Sequence, residues 1–386
     1  MENRENRKKF LLRTVSYILV AALASFATLL LMGRSVKLAQ VEKVINSYFV
    51  GEVDKSAMTD AAARAMVASL GDPWSYYISA QEMEAYNERK TNSYVGIGVT
   101  IQTREDGIGF DITQVEPDGP AFQAGILPGD ILVEVEGTSM ENVDSDVPVE
   151  LIRGNPGTQV MITVLRQDQR LEFSVKRQKV LSVVAEGEML PGNIGYVRIN
   201  NFNTNCAKQT LAAIESLREQ GATALVFDVR NNSGGYVDEM NQILDYLLPE
   251  GNLFRSVSYN GKEEVDTSDS NCLELPMAVL VNGDSYSAAE FFAAALDEYD
   301  AAIVVGQQTT GKGYFQSSFE LSDGSAVGLS IGKYTTPNGV CLADVGITPE
   351  ICVEVDAETA FQIYAGTMDP AQDPQIQAAV EALKAK

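Results

Sequence analysis

Histidine is absent from all 386 residues. That removes the imidazole base of a Ser–His–Asp triad and the commonest nitrogen ligand of zinc. Cys206, Cys272, Cys341 and Cys352 never fall in a CxxC spacing, so buried free thiols are expected rather than a metal or redox motif. Positive charge is scarce. Against 53 Asp and Glu stand 29 Lys and Arg, a net charge of −24, which argues against nucleic acid as a partner. Neither a metal nor a cofactor is implied.

What is present begins at the N-terminus. Arg4, Arg7, Lys8, Lys9 and Arg13 precede "TVSYILVAALASFATLLLMG", a charge-free run over 14–33. At 1.5 Å per residue such a run spans about 30 Å, the hydrocarbon thickness of a bilayer. The basic flank predicts 1–13 in the cytoplasm and the body outside it, on a single-pass membrane helix. A cleaved signal peptide is the alternative. Its apolar region is usually about 7–15 residues, and the "ALA" at 22–24 lies inside the run, not after it.

Past the anchor, 34–90 is expected to be helical, because "LAQVEKVINSYF" repeats apolar residues at spacings of three and four. The aromatic "DPWSYYISAQEMEAYNE" fits a packing hook. Over 91–178 the period becomes that of strands: "YVGIGVTIQ", "GFDITQV" and "ILVEVEG" predict a small β-sandwich with two short helices. Strands alternate with helices over 182–365, the pattern of an α/β layer fold. Residues 366–386 are expected to form a surface helix and tail.

Three stretches carry chemistry. "VLVNGDSYSAAEFF" reads as a strand, a polar turn and a helix opening on hydroxyls. Ser287-Ala-Ala-Glu290 fits a capping box, yet a helix start also suits a developing oxyanion. Ser285 and Ser287 compete as nucleophile. With no histidine, the remaining base for either is lysine, whose ammonium burial disfavours. In "TTGKGYFQ", Lys312 lies between two glycines and Gln316 follows four residues later, a neutral side chain able to orient an amine. A solvated loop lysine is the plainer alternative. In "DVRNNSGG", Gly234 and Gly235 are candidate oxyanion donors, and Ser233 is a rival nucleophile without a base. In "YVGIG", backbone N–H groups around Val95, Gly96 and Ile97 could cradle a chain-terminal carboxylate, with the next strand pairing to a peptide.

These pieces, in this order over roughly 40–362, resemble the C-terminal processing peptidases, also called tail-specific proteases. The match includes "GPAFQAGILPGDILVEVEG", "VFDVRNNSGG", "VLVNGDSYSAAE", "GKGYFQ" and "YTTPNGVCLADVGITPEI". The resemblance implies a ClpP/crotonase-like α/β protease core with an inserted PDZ-like β-sandwich. It assigns Ser287 rather than Ser285 as nucleophile, Lys312 as base, Gln316 as its assistant and Gly234 and Gly235 as oxyanion backbone. Where many members have NPGG this chain has Asn232-Ser233-Gly234-Gly235, and Tyr286 stands where a small residue is usual. The expected function is a membrane-anchored serine endopeptidase on the outside of a bacterial cell, acting on flexible C-terminal tails. Two alternatives stand beside it: an inactive anchored PDZ scaffold, and an acyl-thioester enzyme of the same core. Natural substrate, PDZ polarity and any homo-oligomer are left open by the sequence.

Overall fold

Ala224–Asp228, Met277–Val281 and Ala302–Gly306 are buried at every position, as expected of parallel strands covered on both faces. In the computed structural model, which describes residues 14–17, 36–117 and 119–385, they form the centre of a six-stranded sheet. Its order is Ala185–Leu190, Ile194–Ile199, Ala224–Asp228, Met277–Val281, Ala302–Gly306, Ile351–Cys352. The first pair is antiparallel and the others are parallel. Helices Cys206–Glu219, Val237–Leu247 and Ala288–Glu298 bury Ile214, Leu244 and Phe292 on one face. Helix Pro374–Ala385 buries Ile376, Ala379 and Leu383 on the other. The expected surface tail is therefore part of the core. Buried Arg230 holds it there, 2.8 Å from Asp373 Oδ2, and donates to Gln375 at 2.8 Å.

A second, antiparallel sheet runs Tyr76–Ile78, Ala326–Thr335, Gly251–Ser258, Glu263–Ser268, with Tyr314–Glu320 also paired to Ala326–Thr335. Its first strand differs from expectation, because "DPWSYYISAQEMEAYNE" reads as an aromatic-rich turn followed by a short helix. Tyr76–Ile78 instead takes a place in the core sheet beside residues 326–328. The β-domain is thus inserted between that strand and the rest of the core.

The insertion enters and leaves through a two-stranded ribbon, Ser93–Gly96 against Gln178–Leu181. Its sheet runs Val99–Thr103, Phe110–Val115, Ile131–Val135, Gln159–Arg166, Gln169–Lys176 around Phe110, Ile126, Leu132 and Ile162. Helix Pro120–Ala124 stops at Gly125, whose φ of 95° suits glycine. Arg177 clamps the end of helix Asp146–Ile152, donating to the Leu151 and Ile152 carbonyls at 2.8 and 2.7 Å.

The chain divides into two units, 1–66 and 67–386. In the first, helix Val36–Tyr48 exposes Leu38, Val41 and Val44, the residues whose spacing predicted it. The anchor at 14–33 lies, apart from 14–17, outside the described residues, and among the described residues no helix is long and apolar enough to cross a membrane. The four cysteines are free, but only Cys206 is buried, so the expectation of buried thiols fails for Cys272, Cys341 and Cys352. Those three sit in loops or at a strand end, where no apolar layer covers them.

Candidate active site

Strand Met277–Val281 ends at Asn282, whose side chain accepts from the Asp284 N–H at 3.1 Å and turns the chain. Ser285 is fully buried. Its hydroxyl donates to the Val229 carbonyl at 2.7 Å and accepts from the Asn282 N–H at 3.0 Å, so it fastens the turn. Ser287 follows with φ 60° and ψ −127°, a conformation that costs a non-glycine residue about 1–3 kcal/mol. Helix Ala288–Glu298 starts on the next residue. This is a strained strand-to-helix turn with a hydroxyl at its apex.

Glu290 does more than cap. Its buried carboxylate accepts from Ser287 N–H at 3.0 Å, Gly311 N–H at 2.7 Å, Lys312 N–H at 2.9 Å and the Thr309 hydroxyl at 2.6 Å. One side chain thereby joins the serine turn to the lysine segment. Both flanking glycines are needed there. A Cβ on Gly311 would lie 2.9 Å from the Gly346 nitrogen, and one on Gly313 would lie 2.6 Å from the Ala343 nitrogen.

Ser287, Lys312, Gln316, Gly235 and Tyr334 line one cavity of about 760 Å³. They share it without forming a hydrogen-bonded dyad. The Ser287 hydroxyl lies 3.0 Å from the buried Tyr334 hydroxyl, within a cluster containing Phe254, Phe291 and Phe315. Burial pushes the Tyr334 phenol up to about 12, so it stays protonated at neutral pH. The Lys312 amine instead faces two rings, 4.7 Å from the centre of Trp74 and 5.8 Å from that of Tyr286. Gln316 donates to the Tyr314 carbonyl and the Ser330 hydroxyl, each at 3.0 Å. Among the described residues no hydrogen bond links Lys312 Nζ to Ser287 or Gln316.

The electrostatics of Lys312 fit a base. Burial first and the Lys90 charge second lower its amine from 10.5 to about 8, against the opposing pull of Glu290 and Asp72. In the glycine loop, Asn232 Oδ1 takes the Gly234 N–H at 2.8 Å, while Gly235 borders the cavity. A Cβ on Gly235 would overlap the Phe202 carbonyl carbon at 2.2 Å. Ser233 is exposed at the cavity rim.

In the β-domain, Gly96, Ile97, Val99, Ile101, Val149 and Ile152 line a cleft of about 200 Å³ between the edge strand and helix Asp146–Ile152. Val95 stands apart from it, paired with Lys179 in the ribbon. Among the described residues no strand covers the outer edge of Val99–Thr103. Arg153 borders the cleft, 5.8 Å from the centre of the Tyr94 ring, and pairs with Glu88 at 3.2 Å.

Trp74, Tyr334, Lys90 and the second task of Glu290 escape sequence reasoning. The Ser287-x-x-Glu290 spacing marks Glu290 only as a cap, and "DPWSYY" marks Trp74 only as a packing residue.

Family models match three stretches: the CtpB activating-protease N-terminal domain over 25–82, a PDZ domain over 95–176 and peptidase family S41 over 193–353. The carboxy-terminal processing protease CtpA of Bacillus subtilis is 33% identical over 324 residues, which cover 83% of this chain and 69% of that one. The chain belongs to the C-terminal processing peptidases. A probable CtpA-like serine protease of Staphylococcus epidermidis is 32% identical over 82% of this chain, and the aligned region spans 65% of that relative's length. A putative S41 protease from Bacteroides fragilis shares the fold, with a TM-score of 0.55 at 16% identity, covering 88% of this chain and 93% of that one. The mixed α/β core carrying an inserted PDZ domain is thus the architecture of a C-terminal processing peptidase.

Proposed function

We propose that this C-terminal processing peptidase is a serine endopeptidase acting on flexible protein tails. Residues 14–33 anchor it in the cell membrane and its catalytic body faces outward. One observation carries the reading: a serine held at φ 60° on a helix start shares a cavity with a desolvated lysine amine. In the reaction, neutral Lys312 takes the Ser287 proton as Oγ attacks a peptide carbonyl. The Gly235 N–H faces the developing oxyanion. The Lys312 ammonium then protonates the leaving amine, and water releases the acyl group. Gln316 Oε1, which accepts from no donor among the described residues, is available to steady the amine.

Chemistry requires Lys312 to leave the Trp74 and Tyr286 rings and reach Ser287, a swing that its flexible four-carbon stem allows. The tail docks as an added strand on Val99–Thr103, its last apolar side chain in the cleft between Ile97 and Ile152. The test is cleavage of an unstructured protein with an apolar C-terminus by wild type, Ser287→Ala, Lys312→Ala and Ser285→Ala. Retained cleavage by Ser287→Ala removes the nucleophile assignment. A wild type that binds tails but never cuts them is the scaffold instead.

A further inference from the structure

A second lysine lies in the catalytic cavity. Lys90 closes helix Met83–Lys90 and borders the same space as Ser287 and Lys312. Its amine is 5.3 Å from the centre of the Tyr236 ring and 5.9 Å from that of Tyr86. Among the described residues it makes no ion pair with a carboxylate. The backbone there is fixed. The Lys90 carbonyl accepts from Thr204, from N–H at 3.3 Å and from the hydroxyl at 3.1 Å, and the Arg89 carbonyl accepts from Asn203 Nδ2 at 3.0 Å.

The two lysines are placed differently. Both amines face two aromatic rings, but Lys90 also sits at a helix C-terminus, whose dipole favours a cation. Lys312 is the desolvated one, so it is the one that yields its proton. An active-site lysine beside a second cation is a general way to make a nucleophilic or basic amine near neutrality.

We propose that Lys90 is a positioning residue for the Lys312 base: its positive charge in the shared cavity holds the Lys312 amine in the neutral form. The proposal rests on Lys312 being that base. Other groups set the scale of the effect. Around Lys312, the Glu290 and Asp72 carboxylates and the faces of the Trp74 and Tyr286 rings pull toward the ammonium, while the Tyr334 phenol, raised by burial, is neutral at the working pH. Around Lys90, the Tyr86 and Tyr236 rings face the amine, Tyr76 borders the cavity, and Asp238, Glu264, Asp266 and Glu320 lie elsewhere on its wall. Burial is the largest cause of the lowered Lys312 value and would persist without Lys90, so removing the charge shifts the titration without abolishing it.

The test follows Lys312 directly in the full-length chain carrying Ser287→Ala. The pH dependence of acylation of the Lys312 amine is read by peptide mass spectrometry. The midpoint is expected near pH 8 with Lys90 present. Lys90→Gln should raise it on the order of one pH unit and Lys90→Glu further, while Lys90→Arg should hold it within a few tenths. With Ser287 restored, the acid limb of kcat/KM should move by the same amount while the alkaline plateau changes little. A midpoint that stays put in both Lys90→Gln and Lys90→Glu overturns the proposal, whatever happens to the plateau. A chain that cuts no polypeptide, with a midpoint that still follows the charge at position 90, refutes the peptidase reading and leaves the coupling of the two lysines standing.

Discussion

The PDZ cleft and the catalytic cavity stand at different stages of readiness. In the cleft the apolar wall of Ile97, Ile101 and Ile152 is already in place beside an open strand edge. In the cavity the groups proposed to react are gathered yet engaged elsewhere, Ser287 with Tyr334 and Lys312 with the Trp74 and Tyr286 rings. A docking groove works by fixed shape, whereas a base and nucleophile must be brought within hydrogen-bond reach for the proton to move. Under the proposed mechanism the contrast teaches that recognition is built into the backbone, and that catalysis depends on the rearrangement of a few side chains.

The sharpest way to break this contrast is to remove the reacting groups. Ser287→Ala and Lys312→Ala are each expected to lower kcat on a tail-bearing substrate by about 10³-fold or more, while binding of the tail to the PDZ cleft stays within a factor of two, about 0.4 kcal/mol. Loss of tail binding in these variants would mean that cleft and cavity are not separate.

Next in size is stability. Below pH 8 the Lys312 ammonium is charged in both folded and unfolded chains, and its burial penalty is fully present. Between about 8 and 10.5 the unfolded chain still binds the proton and the folded one does not, so stability rises with pH; above 10.5 the penalty is gone. Lys312→Met is therefore expected to stabilise the protein by about 2–3 kcal/mol at pH 7 and by little at pH 11. Denaturant titrations at the two pH values check it. An equal gain at both would locate the effect in packing.

A smaller effect is expected from the cleft. Ile101→Asp places a carboxylate on its apolar wall and should lower kcat/KM for a tail-bearing substrate about tenfold, roughly 1.4 kcal/mol, leaving a short peptide without the tail unaffected. Smallest is Tyr334→Phe. It removes the hydroxyl that holds Ser287 and should raise kcat about fivefold, the worth of one neutral hydrogen bond of about 1 kcal/mol. A fall in kcat would instead make Tyr334 part of the machinery.

Local patterns reach a definite distance into this molecule. The capping-box spacing finds the turn that carries Ser287, the paired glycines find Lys312, and the change of period finds the inserted domain. What local patterns miss is the set of long-range pairings. Tyr76–Ile78 looks like a loop until residues 326–328 supply its partner strand. Helix Pro374–Ala385 looks like a tail until Arg230 meets Asp373 beneath it. Burial alone would raise the Asp228 carboxyl in that network, but Arg230 outweighs it and holds it low. Gly234 and Gly235 read as an equivalent pair, and only the Asn232 side chain separates them, by taking the first N–H.

Trp74 is the one tryptophan in the chain, and its ring lies 4.7 Å from the Lys312 amine. An indole's emission responds to a charge beside it. The protein therefore carries a built-in optical probe at the lysine itself, with no second indole to dilute the signal. Loss of the Lys312 proton, or departure of its side chain toward Ser287, should be visible as a change of colour or intensity in unlabelled protein, on the timescale of a stopped-flow trace.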